Sequence, residues 1–360
     1  MQKKVKVCWR ESTGTHVGNA LGYNTHNKFM KKYASQFLDL DVDADTTFTI
    51  MPADMFVPIK GKKNVLFSMW ESLEVPNSYK AGLSLADGLI VPSSFCKNLF
   101  RKYTDLPIDV CWEGVESESY SFYQRQLPKS GEKFRFLWVG APNPRKGYPL
   151  VLEAIKAFAG NPHVEFYIKT TVQPMNWVQT IKNTWKRRKL IFRTEKGLRS
   201  FSRMLRRVPR PGLEGQVIRQ GNVIFDTRHV SFDELISLYN SAHCFLLPSF
   251  GEGWGLTLSE AMATGAPCVA TSNTGTADFF DESVGYVVDH YIKPIQSLNY
   301  NFTSDTYIPD TNSFVRRMID VMNNYGEALK RGKRASDRIH KKFTWEKSGK
   351  RLAEILSKYQ

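Results

Sequence analysis

The stretch SFGEGWGLTLSEAMATGAPCVAT, Ser249 to Thr271, constrains the fold of this chain more than any other. An apolar run, Cys244 to Ser249, reads as a buried strand. A glycine-rich turn follows, and then LTLSEAMATG, which has helical spacing and stops at Gly265. The run PCVAT reads as the next strand. A strand, a glycine turn and a helix N-terminus together form an anion site. The first N–H groups of the helix lack intrahelical partners, and the helix dipole favours negative charge there. Glu252 lies in the turn and Glu260 about two helical turns further on, on roughly the same face. Carboxylates so placed can accept hydrogen bonds from sugar hydroxyls.

The same pattern recurs along the chain. VLFSM, GLIVPS, RFLWVG, VEFYIK, NVIFD, CFLLPS and PCVAT alternate with helical stretches, which points to α/β architecture with mainly parallel sheets. At 360 residues the chain has room for two domains, and 42% hydrophobic residues can fill their cores. No apolar run is long enough to span a bilayer, and the N-terminus lacks a signal core, so the expected location is the cytoplasm. The five cysteines have no paired spacing and read as buried thiols. The acidic run Asp39 to Asp45 lacks the glycine and glutamate of a calcium loop, since Ala44 and Ile50 stand at those positions, and reads as a solvated turn.

The Ser249–Thr271 stretch resembles the nucleotide-sugar signature of retaining glycosyltransferases of the GT-B fold, family 4, in which two glutamates have seven residues between them. The resemblance implies two Rossmann-like domains with a cleft between them and a C-terminal helix crossing back. Residues 1–125 would form the acceptor domain, and residues 126–340 the nucleotide-sugar domain, with a basic insertion over about 173–222. Residues 341–360 would be the returning helix. The segment QRQLPKSGEK, from Gln124 to Lys133, reads as a polar linker.

The resemblance also implies site roles. Glu252 would hold hydroxyls of the transferred sugar, helped by the backbone around Gly253, Trp254, Gly255 and Leu256. Glu260 would hold the ribose. Arg145 and Lys146, in the turn after the strand FRFLWVG, would stabilise the leaving diphosphate. The family often has an arginine after the strand glycine, but here Ala141 follows Gly140, leaving Arg145 and Lys146 as the cations. The donor base would lie near Arg228 to Val230. Gly14, Thr15 and His16 lie in the first strand–helix loop, which borders the cleft or simply turns the chain. Where many family members carry histidine, this chain has Trp70 and Glu71. Glu71 orients an acceptor hydroxyl or caps the next helix. The implied co-substrate is a nucleoside diphosphate sugar such as a UDP-sugar, with no metal or other cofactor required.

Between Gln179 and Arg210 stand twelve basic residues and one acid, a net +11 of the chain's formal +15. They include Lys186, Arg187, Arg188, Lys189, Arg199, Arg203, Arg206 and Arg207. Such density points to a polyanion partner. A nucleic acid would be gripped through its phosphates. An anionic membrane would suit the interleaved aromatics, Trp177, Trp185 and Phe192, and would place the protein at the periphery of the inner membrane. The reading places DNA carrying a hydroxylated base narrowly ahead of an envelope glycan or glycolipid acceptor. A non-catalytic protein that binds sugar nucleotides or polyanions is the third reading.

Overall fold

The computed structural model describes residues 4–11, 20–170, 215–296 and 302–360. Gly14, Thr15 and His16 lie outside them. So do the basic residues Lys186, Arg187, Arg188, Lys189, Arg199, Arg203, Arg206 and Arg207.

The first domain carries β1 (Val5–Arg10), α1 (Ala20–Ala34), β2 (Leu38–Leu40), β3 (Thr46–Ile50), β4 (Lys63–Phe67), α2 (Asn77–Leu83), β5 (Gly88–Val91), α3 (Ser94–Phe100) and β6 (Ile108–Val110). Its strands pair in parallel in the order β2-β1-β3-β4-β5-β6. The central strands are buried on both faces, as a parallel sheet covered by helices requires.

The second domain carries β7 (Phe134–Val139), α4 (Tyr148–Ala157), β8 (Val164–Lys169), β9 (Val217–Gln220), β10 (Val223–Asp226), α5 (Phe232–Ser241), β11 (Cys244–Leu247), α6 (Leu256–Ala263), β12 (Cys268–Ala270) and β13 (Tyr286–Val287). A hairpin of β14 (His290–Gln296) and β15 (Thr303–Pro309) follows, then α7 (Thr311–Asn323), α8 (Tyr325–Lys342) and α9 (Trp345–Leu356). The sheet order is β13-β12-β11-β7-β8-β10-β9, parallel except for the antiparallel edge strand β9.

The chain crosses between domains twice, and the crossings lie side by side. The amide of Val115 donates to Phe343 O (3.1 Å), and that of Trp345 to Val115 O (3.2 Å). Helix α9 then returns to the first domain. There Leu352, Ile355 and Leu356 join Val7, Phe48 and Phe67 in one core, and Trp345 stacks on Phe29. The hairpin, which the sequence did not suggest, also reaches across. Leu73 N donates to Asp305 O (3.2 Å), and Phe302 packs on the core around Trp70. Four of the five cysteines are buried and all five are free. The turn after β2 keeps Asp41 paired with Lys6 at 3.0 Å. No described helix is long and apolar enough to cross a membrane.

Arg125 departs from the solvated linker expected there. Its side chain is 5% exposed. It donates to Ala242 O (2.9 Å), Tyr123 O (3.2 Å), Tyr239 O (2.8 Å), Thr264 O (2.6 Å) and Thr264 Oγ1 (2.9 Å). Apart from that of Tyr123, those carbonyls end α5 and α6, where a cation offsets the negative ends of two helix dipoles. Burial pushes the guanidinium down to about 10, and the dense set of acceptors compensates its lost hydration. Arg125→Met should leave these acceptors without a donor and lower the unfolding free energy by about 3 kcal/mol or more. Urea titration reads this, and a shift of under about 1 kcal/mol would show that the contacts are incidental.

Candidate active site

The site is built where two turns of the second domain meet. The turn after β7 carries Arg145 and Lys146, and the turn after β11 carries Ser249 to Gly255. Phe250 N donates to Arg145 O (2.7 Å), and Arg145 Nη1 donates to Gly251 O (2.8 Å). Gly255, at φ +114°, takes the left-handed conformation that starts α6. No described residue accepts from the N–H groups of Gly253, Trp254, Gly255 or Leu256. The helix therefore begins with unengaged donors, the feature that makes a helix N-terminus receptive to an anion.

Glu252 is 4% exposed and lies at the centre. Lys146 Nζ donates to its Oε2 at 2.6 Å and Arg145 Nη1 at 3.2 Å, while Ser249 Oγ lies 2.8 Å from Oε1. Its amide donates to Thr274 Oγ1 (2.9 Å). Burial raises its pKa, but Lys146 and then Arg145 outweigh burial and hold the carboxyl below its usual value. Across the cleft, Glu71 Oε1 stands 3.7 Å from Arg145 Nη2. Two cations and two carboxylates thus neutralise one another between the domains. The first domain also closes against the glycine turn. A Cβ on Gly251 would fall 1.9 Å from Glu71 O, and one on Gly253 would fall 2.7 Å from Met69 Sδ. These two glycines permit the approach of the Met69–Glu71 loop.

Glu260 faces other partners. Tyr239 on α5 donates to its Oε2 at 2.7 Å. Burial pushes its carboxyl up to about 7, opposed by the nearby hydroxyls of Tyr239 and Tyr120 and reinforced by Glu113.

Arg228, after β10, donates through Nε (3.1 Å) and Nη2 (2.9 Å) to the buried Asp226. With Val230 it lines a groove of about 230 Å³ along α5, beside Glu234, Ser237 and Leu238. Leu256 packs partly buried against cores of both domains. Trp254 turns its side chain into the core. Its indole is 1% exposed and sits between Phe279 (ring centroids 4.6 Å) and Phe343 (5.2 Å). The apolar surface of the ring is worth more in that core than at a polar cleft, so only its backbone can face a donor. Ser249, Thr274 and Tyr239 escaped the sequence reading. Ser249 had a signal, since it directly precedes the turn.

The raised pKa of Glu260 has a sign. The folded state holds a proton that the unfolded chain releases above its ordinary value of 4.5. This contribution to stability is complete below that value and is lost as pH rises through about 7. Glu260→Gln should therefore gain stability relative to the parent as pH rises from about 5 to about 8. Urea midpoints across that range read it, and a constant difference would contradict the assigned shift.

A family model described as "Family 4 Glycosyltransferase in conflict systems" matches residues 223–352. Sucrose synthase 4 of Oryza sativa subsp. japonica is 32% identical over 116 residues, 32% of this chain and 13% of that protein. Sucrose synthase of Beta vulgaris is 31% identical over 116 residues, again 32% of this chain and 13% of that protein. The chain thus matches only about an eighth of the length of these relatives. Among solved structures, sucrose-phosphate synthase from Thermosynechococcus elongatus superposes with a TM-score of 0.62 at 17% identity, covering 96% of this chain and 81% of that one. Anabaena HepE in complex with UDP and glucose gives 0.60 at 12% identity, over 99% and 100% of the two chains. TarM of S. aureus, in complex with Fondaparinux, alpha-GlcNAc-glycerol and UDP, gives 0.59 at 15%, over 91% and 58%. The chain has the GT-B fold, and its residues 223–352 resemble a family 4 glycosyltransferase.

Proposed function

We propose that the protein transfers a sugar, with retention of anomeric configuration, from a nucleoside diphosphate sugar to a hydroxyl group. The observation that carries this reading is the buried Glu252, held by Lys146 and Arg145 beside unengaged N–H groups at the start of α6. Without a donor, carboxylate and cations satisfy one another. A nucleotide sugar supplies replacements for both. Its diphosphate takes Lys146, Arg145 and the helix N-terminus, and its sugar hydroxyls donate to the released Glu252. No buried charge is left unpaired in the exchange, which would otherwise be costly. Glu260 receives the ribose hydroxyls, and Glu71 faces the acceptor from the first domain.

In the reaction the bond from the anomeric carbon to the diphosphate oxygen breaks. A bond from the acceptor oxygen forms on the same face, and the acceptor's proton passes to the leaving phosphate. The cations stabilise charge that grows on the departing diphosphate, where fixed positive groups lower the barrier most. The pairing between the Met69–Glu71 loop and the glycine turn excludes water and limits hydrolysis. Glu252→Gln keeps the volume and loses the charge. It should lower kcat by about a hundredfold or more, and the two cations that it leaves unpaired should lower the urea midpoint as well. Full activity in that variant would overturn the site.

The acceptor we propose is a hydroxylated base in DNA, acted on in the cytoplasm. The support is the +11 charge between Gln179 and Arg210 and the family model's link to conflict systems. On the first domain, Lys28, Lys31 and Lys32 line a groove of about 490 Å³ with Asn24 and Asn27, although Lys31 also pairs with Glu11 and Lys32 with Glu116. A duplex base would have to leave the stack to reach the cleft. The competing acceptor is an envelope glycan or glycolipid, favoured by the likeness to TarM with its alpha-GlcNAc-glycerol. Incubation with a panel of nucleotide sugars and hydroxymethylcytosine-containing DNA separates the two. A sugar-sized mass gain on digested nucleosides is expected. Donor hydrolysis without that gain would exclude the DNA acceptor and leave the glycan.

A further inference from the structure

Lys169 ends β8 beside the segment that joins β10 to α5, and it is buried at 6% exposure. Its Nζ donates to the carbonyl oxygens of Thr170 (3.4 Å), Asp226 (3.3 Å) and Arg228, and lies 3.7 Å from Asp226 Oδ1. An ammonium has three donors, and this one directs them at three backbone carbonyls. Asp226, fully buried, completes the lock. It accepts from the Tyr167 hydroxyl (2.7 Å), from Arg228 N (3.0 Å) and from the Arg228 guanidinium. The first residues of the segment therefore have both their carbonyls and the Arg228 amide engaged inward. Beyond them, no described residue accepts from the N–H groups of His229 or Val230. Ser231 then caps α5 with a capping box. Two unengaged donors are thus held at the carboxyl end of the sheet, where open α/β sheets bind their ligands.

We propose that Lys169 is a positioning residue that sets nucleobase specificity. By drawing the Asp226 and Arg228 carbonyls inward, it presents the His229 and Val230 N–H groups to a carbonyl on the base edge, the O4 of uracil. Cytosine puts an amino donor at the same place and meets like donors. The inference rests on the nucleotide-sugar reading of the same cleft. Lys169 touches no donor atom in this account. It acts through the backbone it holds.

The test is calorimetric binding of UDP and CDP to the full chain. The two ligands differ only at the base edge, where uracil has the O4 carbonyl and an N3–H and cytosine has an amino group and a bare N3. The unmodified protein should bind UDP at least about tenfold more tightly than CDP, since a site built to donate to a carbonyl rejects an analogue lacking it. Lys169→Met should weaken UDP about tenfold and bring the ratio near unity, while Lys169→Arg, which keeps donors in place, should restore most of it. A simple loss of stability would weaken both nucleotides alike and leave the ratio unchanged. That outcome would overturn the proposal, as would equal binding of UDP and CDP by the unmodified chain, a comparison that needs no variant. UDP binding without base preference would leave the nucleotide-sugar site standing. Failure to bind either nucleotide would take that reading down as well.

Discussion

Everything in the cleft is arranged around one buried carboxylate. Glu252 has lost most of its hydration, and an ionised group in that position persists only if fixed partners replace the water. Lys146, Arg145 and Ser249 do so, and they are delivered by two neighbouring strand ends. Ser249 comes from the end of β11. The two cations come from the turn after β7, which is pinned to the glycine turn through Phe250 and Gly251. The carboxylate therefore fixes the relative position of two neighbouring strand ends. It also keeps two cations close together that would otherwise repel. A phosphate-bearing ligand is the natural substitute for such a carboxylate, because it offers negative oxygens to the same cations.

The first domain is held to this arrangement from three sides. The paired crossings at Val115 and Thr344 lie on one side. The Met69–Glu71 loop presses on Gly251 and Gly253 in the middle, and the β14–β15 hairpin reaches the same loop through Asp305. Arg125 fixes the linker to the second domain just after the first crossing. The short stretch between Val115 and Arg125 contains Tyr120, packed against Tyr239 at 5.9 Å between ring centroids. Glu260 bonds to Tyr239, so the linker and this carboxylate share a wall.

Much of this was legible in the sequence because it rests on local patterns. The alternation of apolar runs and helical spacing gave parallel sheets. The glycine turn followed by LTLSEAMATG gave a helix start at Leu256. What was not legible depends on contacts between distant segments. Trp254 borders the turn, and nothing local decides which way its ring points. Phe279 and Phe343, remote in sequence, decide it. Arg125 sits among polar linker residues, and its burial follows from helix ends more than a hundred positions away. Lys169 and Asp226 read as a strand end apiece, and their pairing appears only once β8 and β10 lie side by side. Gly251 and Gly253 read as turn residues, while the fold also uses them to admit the other domain.

The central claim is that Lys146 and Arg145 leave Glu252 for a diphosphate. Calorimetric titration of UDP against the full chain and its Lys146→Met variant tests this most directly. Micromolar binding that weakens about tenfold or more in the variant is the expected result, the loss that follows removal of one charge-assisted phosphate contact. Equal binding by both proteins, or no binding to either, would contradict the exchange on which this account rests.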